Sequence, residues 1–271
     1  MSVANQYTEE LREHLPIRYE GLSFYPLPVK CFALYQNARP AMELLLSSLP
    51  IRFARLSWMN ALDAMDREAA KEQLTTGYLA SVLLLLDAAL RLNAVNNPRA
   101  LMIARDKEGR LSTLIVQQEH GTPTALNEKH FKTVREILAA QNGYEIPDEN
   151  WNPELVRAQQ YLREQKSSGA GGSLEDAVYA LAAATGFRAG EIWNWPIREY
   201  LGMQSAVDRR LRFQIFSTAE LSGQVKFKSG NPYPTWITQN KSGLPAGFTS
   251  LKELDDGANG LLPTPNDTHK E

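Results

Sequence analysis

The sequence predicts a mainly α protein with a small β-hairpin element and a helical C-terminal module set off by a Gly/Ser linker. Three observations carry this prediction. Apolar residues recur at helical spacing in several stretches, as in Phe131, Val134 and Leu138. Two short apolar runs flank the polar, glycine-bearing connection Asp106-Lys107-Glu108-Gly109. The run Ser167-Ser168-Gly169-Ala170-Gly171-Gly172 is too small and flexible to pack, so it reads as a link between folded units. The expected organisation is an α-rich N-terminal domain with a small β element over 1–166, the flexible linker over 167–172, a helical protein-binding module over 173–240 and a disordered tail over 241–271.

Taken in order, the first residues form a short polar lead. Gly21 to Lys30 then combines aromatic and β-branched residues with Pro26 and Pro28, which limit it to an edge strand or an extended segment. Asp66 to Leu92 is rich in helix formers and reads as one long helix, with an interruption at Gly77 and an end before Asn96-Asn97-Pro98. Its greasy part, Leu79 to Leu90, includes Asp87 and falls short of the ~20 residues of a membrane span, so it predicts a buried helix. Leu101 to Ala104 and Leu111 to Val116 form the hairpin. Asn127 caps a helix that runs to Asn142-Gly143, and Asn152-Pro153 opens another with Leu155, Ala158 and Leu162 on one face. Beyond Lys241 the chain lacks clustered apolar residues.

At 271 residues and 43% apolar content the chain has enough material for a core. Its 29 basic and 31 acidic residues give a formal charge of -2, which favours neither nucleic acid nor an anionic membrane. Cys31, the only cysteine, has no intrachain partner, and Met1 to Glu10 carries Glu9 and Glu10 without an apolar core; both fit a cytoplasmic protein without a signal peptide. His14, His120, His130 and His269 form no paired metal-ligand spacing, so no metal is expected. His130, Asp63 and Asp66 read as solvated groups on helix surfaces. A phosphate-binding glycine loop, a G-x-S-x-G elbow and a Cys/His pair are all missing from the sequence, so neither a catalytic residue nor a cofactor is expected.

The most informative stretch is Ser173 to Phe216. Ser173 is a good N-cap, with Asp176 three residues on completing a weak capping box and Glu175 favouring the positive end of the helix dipole. Leu174, Ala177, Val178, Leu181 and Ala182 form one apolar face, and Gly186 is placed to end the helix in a left-handed conformation. A second short helix, about Arg188 to Asn194, stops at Trp195-Pro196. Pro196 then opens a third, in which Tyr200, Met203, Val207 and Leu211 recur at helical spacing. Ile192, Trp193, Trp195 and Tyr200 are candidate interface anchors beside Phe187, and Arg209 and Arg212, next to Arg210, are candidates for an acidic partner. The competing readings are core packing for the aromatics and a solvated face for the arginines. A helix-turn-helix would put Arg188 and Asn194 near DNA. The second helix speaks against that, being short, bearing two Trp and cut by Pro196.

Ser-Leu-Glu-Asp-Ala-Val-Tyr-Ala-Leu-Ala-Ala-Ala-Thr-Gly-Phe-Arg-Ala-Gly-Glu-Ile-Trp-Asn-Trp-Pro-Ile-Arg-Glu-Tyr (173 to 200) and Asp208-Arg209-Arg210-Leu211-Arg212-Phe213-Gln214-Ile215 carry a resemblance, extended by Leu221 to Lys228 and by Tyr19 to Pro26. In these stretches the sequence resembles the tail assembly chaperones of tailed phages and related prophage tail-region proteins. The resemblance implies a non-enzymatic protein of the host cytoplasm that binds the tape measure protein, or other phage tail proteins, and keeps it soluble during tail assembly. It implies no nucleic-acid or membrane partner and leaves a homo-oligomer open. The long N-terminal region and β element depart from the short chaperones, which keeps a structural tail or baseplate component as the alternative and a helix-turn-helix regulator as a third reading.

Overall fold

The computed structural model describes residues 3–34, 38–47, 49–53, 55–72, 77–94, 96–118, 122–144, 146, 173–223, 233 and 235–237. The chain is mainly α-helical with small β elements, and it divides into two compact units, Met1–Val207 and Asp208–Glu271. The helix expected from Asn152-Pro153, the linker over 167–172 and the tail over 241–271 lie outside the described residues.

The first unit opens with two short helices, α1 (Val3–Gln6) and α2 (Thr8–Arg12), where the sequence suggests only a polar lead. An antiparallel hairpin follows, β1 (Ile17–Tyr19) and β2 (Leu22–Phe24), with Ile17 opposite Phe24. Ile17, Leu22 and Phe24 face inward, and alternation over three residues is all the strand signal there is. The strand expected within Gly21 to Lys30 is therefore limited to Leu22–Phe24, because Pro26 and Pro28 cannot continue a ladder; Val29 instead starts α3 (Val29–Leu34). Next comes α4 (Ala38–Leu46), which keeps Pro40 in its first turn, where no amide partner is lost.

Two helices stand where one was expected. α5 (Trp58–Lys71) starts earlier than Asp66, with the Ser57 hydroxyl accepting the Asn60 amide at 3.4 Å. α6 (Tyr78–Leu90) starts anew after Gly77, whose φ of -107° and ψ of 81° are not helical. Gly77 has no side chain to cap α6, and Asp66 on α5 does so instead. Asp66 is thus a cap rather than a solvated acid. Asp63 is corrected too: it is buried and takes Arg105 at 2.7 and 2.9 Å and Arg67 at 2.6 Å.

The second sheet has the order β3-β4-β5, built from β3 (Leu101–Arg105), β4 (Leu111–Val116) and β5 (Thr124–Leu126), all antiparallel. The first two strands are the expected hairpin; the third is too short to show a period. Asn60 of α5 pairs with β4 as a strand would, giving Leu111 O a hydrogen bond at 3.0 Å and accepting Leu111 N–H at 2.9 Å. α7 (Glu128–Gln141) has the expected Asn127 cap, closed by the His130 ring, whose Nδ1 accepts the Asn127 amide at 3.4 Å.

These elements enclose one large core in which Leu62, Val82, Leu86, Leu114, Val134 and Leu138 are fully buried. Each such side chain contributes about 1.5–3 kcal/mol over leaving it in water. Leu79–Leu90 supplies six residues to it, so the greasy run is a buried helix. Among the described residues no helix is long and apolar enough to cross a membrane. Asn142, fully buried, is matched on both sides: it accepts Leu27 N–H at 3.0 Å and donates to Leu138 O at 2.8 Å.

Candidate protein-binding surface

The post-linker helices form as the capping signals dictate. α8 (Leu174–Thr185) begins at Ser173, whose hydroxyl oxygen accepts the Asp176 amide at 3.0 Å while Asp176 accepts the Ser173 amide at 3.0 Å. The Ser173 hydroxyl also donates to the Asp176 carboxylate at 2.8 Å, and this hydrogen bond, followed by the one from the Ser173 amide, holds the Asp176 carboxyl below the usual carboxylate range. Gly186 ends α8 at φ 82°, its amide returning to Ala182 O at 2.8 Å. The second helix is shorter than expected: α9 (Ala189–Ile192) gives way to a turn at Trp193 and Asn194. α10 (Ile197–Leu221) follows Pro196 and runs 25 residues.

A second core gathers here. Val178 and Leu181 of α8, Ile192 of α9, and Ile197 and Tyr200 of α10 are buried around Val29 of α3. The segment 27–30 is stitched to the module by backbone: Val29 N–H to Trp195 O at 2.9 Å, Lys30 N–H to Trp193 O at 3.0 Å, and Ile197 N–H to Leu27 O at 2.8 Å. The post-linker helices therefore complete their core with residues from the N-terminal region. Arg198 adds a hydrogen bond to Ala140 O, and His14 Nε2 lies 3.9 Å from Glu199.

Four of the six candidate residues meet at this core. Ile192 and Tyr200, the latter 2% exposed, are inside it and present no side-chain surface; burial pushes the Tyr200 hydroxyl up in pKa, and that hydroxyl has no hydrogen-bond partner. Trp193 and Trp195 are half-buried at its border. Trp195 meets Phe187 edge to face at 5.0 Å, and Phe187 keeps about half of its surface in water, as does Tyr179 on α8.

The other two candidates, Arg209 and Arg212, belong to the second unit. Arg209 Nε donates to Trp236 O at 3.4 Å; Arg212 donates to Tyr233 Oη at 3.0 Å and pairs with Asp208 at 2.9 Å. Phe216 packs on the Tyr233 ring at 4.9 Å. This face of α10 is thus engaged by the chain itself. The helical stripe that starts with Tyr200, Met203 and Val207 continues through Leu211 to Ile215, and there it is open: Leu211 is 51% and Ile215 65% exposed, while Leu221, on another side of the last turn, is 87% exposed. Ile215 and Leu221 were not among the expected interface residues. The signal for Ile215 was in the sequence, since it extends the same i, i+4 series; Leu221 does not.

No family model matches this chain, and no curated protein and no solved structure matches it. The described residues hold no group of three or more His, Cys, Asp or Glu side chains that could hold a metal ion. What the arrangement offers is non-covalent: aromatic side chains at the rim of a packed helical core, and an open apolar stripe on a long helix.

Proposed function

We propose that this protein is a tail assembly chaperone of a tailed phage, binding the tape measure protein in the host cytoplasm through an apolar helical surface. The observation that carries the reading is the open stripe of Leu211 and Ile215 on α10. Large aliphatic side chains held in water along one helix line are a docking surface, and an amphipathic partner helix covers such a line with its own i, i+4 residues. The likeness of residues 173 to 200 and 208 to 215 to tail assembly chaperones supports the phage context.

The test is co-expression with the tape measure protein of the same phage. A soluble complex is expected, lost on Leu211→Asp with Ile215→Asp while the circular dichroism spectrum is unchanged. The reading fails if no complex forms and the tape measure protein is equally insoluble with and without this chain. Mass spectrometry of purified particles separates the structural alternative, because a stoichiometric signal in the virion assigns the chain to the tail or baseplate.

A further inference from the structure

The first unit contains an open cleft between the start of α5, the first two turns of α7 and β4, remote in sequence from the α10 stripe. Among the described residues its lining combines apolar Leu49, Leu56 and Trp58 with the cations Lys129, Lys132 and Arg135 and one acid, Glu128. Three cations against one carboxylate are a local reversal in a chain whose net charge is -2.

These groups do not share one role. Arg135 is committed to the fold: it is buried, donates to Leu45 O and, at 3.2 Å, to Ser47 O, and lies over the Trp58 ring at 4.5 Å. The amides of the two helix starts are also engaged, since Asn127 accepts from Lys129 and His130, and Ser57 from Asn60. Lys129 and Lys132 are different. They lie three residues apart on one side of α7, both exposed, and neither has an ion-pair partner among the described residues. In the same lining Leu56 is 41% exposed and Trp58 is half-buried. A lysine pair on a helix is ordinarily only solvated; here it shares an open cleft with aromatic and aliphatic side chains.

We propose that this cleft docks an acidic segment of a protein partner, with carboxylates set on Lys129 and Lys132 and a large apolar side chain set on Leu56 and Trp58. Charge complementarity selects the acidic residues, and the apolar lining selects a polypeptide over a bare anion, which would leave that lining in water. The proposal does not rest on the α10 stripe.

Three labelled dodecapeptides test it by fluorescence anisotropy on the full chain: one of Glu and Leu, one of Glu and Ser, one of Lys and Leu. The Glu/Leu peptide is expected to bind at least tenfold more tightly than either control. Lys129→Glu with Lys132→Glu should invert the preference towards the Lys/Leu peptide, and Leu56→Ser should weaken the Glu/Leu peptide alone. Leu211→Asp should change nothing, which keeps this result separate from the chaperone test. Equal binding of the two Glu peptides overturns the proposal, because the cleft is then only a charged patch. So does an unchanged preference in the lysine variant, or no binding of the Glu/Leu peptide at all. Both lysines are exposed and have no ion-pair partner among the described residues, so the variant should retain its fold, as the melting curve should show.

Discussion

The carboxylate of Asp66 on α5 accepts the backbone N–H of Tyr78 at 2.6 Å, and that of Leu79 at 3.0 Å, so one helix supplies the cap of the next. Asp66→Ala removes this cap and leaves two amides at the start of α6 without a partner. A loss of about 1–2 kcal/mol is expected in urea denaturation, with Asp66→Asn keeping most of the stability because the amide oxygen still accepts.

The Asp63 pairing carries the pH dependence. The hydrogen bond from Arg105 does most to hold the Asp63 carboxyl below its ordinary range; burial opposes it, and the charges of Arg105 and Arg67 with the hydrogen bond from Arg67 add to the lowering. A depressed folded value means that the contribution is fully present above the unfolded value and is lost as pH falls through the folded one. Asp63→Asn should therefore cost about 1–2 kcal/mol at neutral pH, a figure kept small because both arginines reach water. The gap between wild type and variant should close in acid, as urea melts on both sides of the carboxylate range would show.

Two glycines at similar dihedrals should respond differently to alanine. Gly186 has φ 82° with nothing within 4 Å of a new Cβ, so Gly186→Ala carries only backbone strain, about 1 kcal/mol. At Gly143, φ 80°, the Cβ would stand 3.3 Å from Arg198 Cα, which is backbone and cannot swing aside. Gly143→Ala should cost about 2–3 kcal/mol in thermal or urea melts, the excess measuring the packing of α7 against α10.

Tyr200→Phe tests whether the buried hydroxyl contributes anything. It has no partner, so its removal should be neutral or stabilise by up to about 1 kcal/mol, whereas Tyr200→Ala should cost about 3–5 kcal/mol through the cavity. Neither change alters a surface side chain, so Tyr200→Phe should leave peptide or protein binding intact.

The sequence discloses what is decided locally. Ser173 with Asp176, Asn127, Gly186 and the turn Asp106-Lys107-Glu108-Gly109 each act within a few residues, and each does in the structure what its chemistry suggests. Hidden were the relations set by packing. Asp66 caps a helix twelve residues away, and β1 and β5 span three residues each, too few for a period to emerge. The Phe187 to Tyr200 cluster was legible as a cluster, but helical spacing alone cannot tell a stripe that will be covered from one left open. Tyr200 and Ile215 lie on the same stripe, and only the fold separates the buried part from the exposed part. The cleft at Lys129 and Lys132 had no local signature, because its apolar lining, Leu49, Leu56 and Trp58, comes from a distant part of the chain.

The position of Val29 in the second core sets an order of events during synthesis. Its companions Val178 and Tyr200 emerge from the ribosome about 150 residues later, on the order of 10 s at ordinary elongation rates. Throughout that interval the amides of Val29 and Lys30, which finally bond Trp195 and Trp193, stay open to solvent or to a holding factor. A message cut short before Ser173 would release a chain whose first core can form but whose α3 has nothing to close it, and such products are the ones expected to aggregate or be degraded.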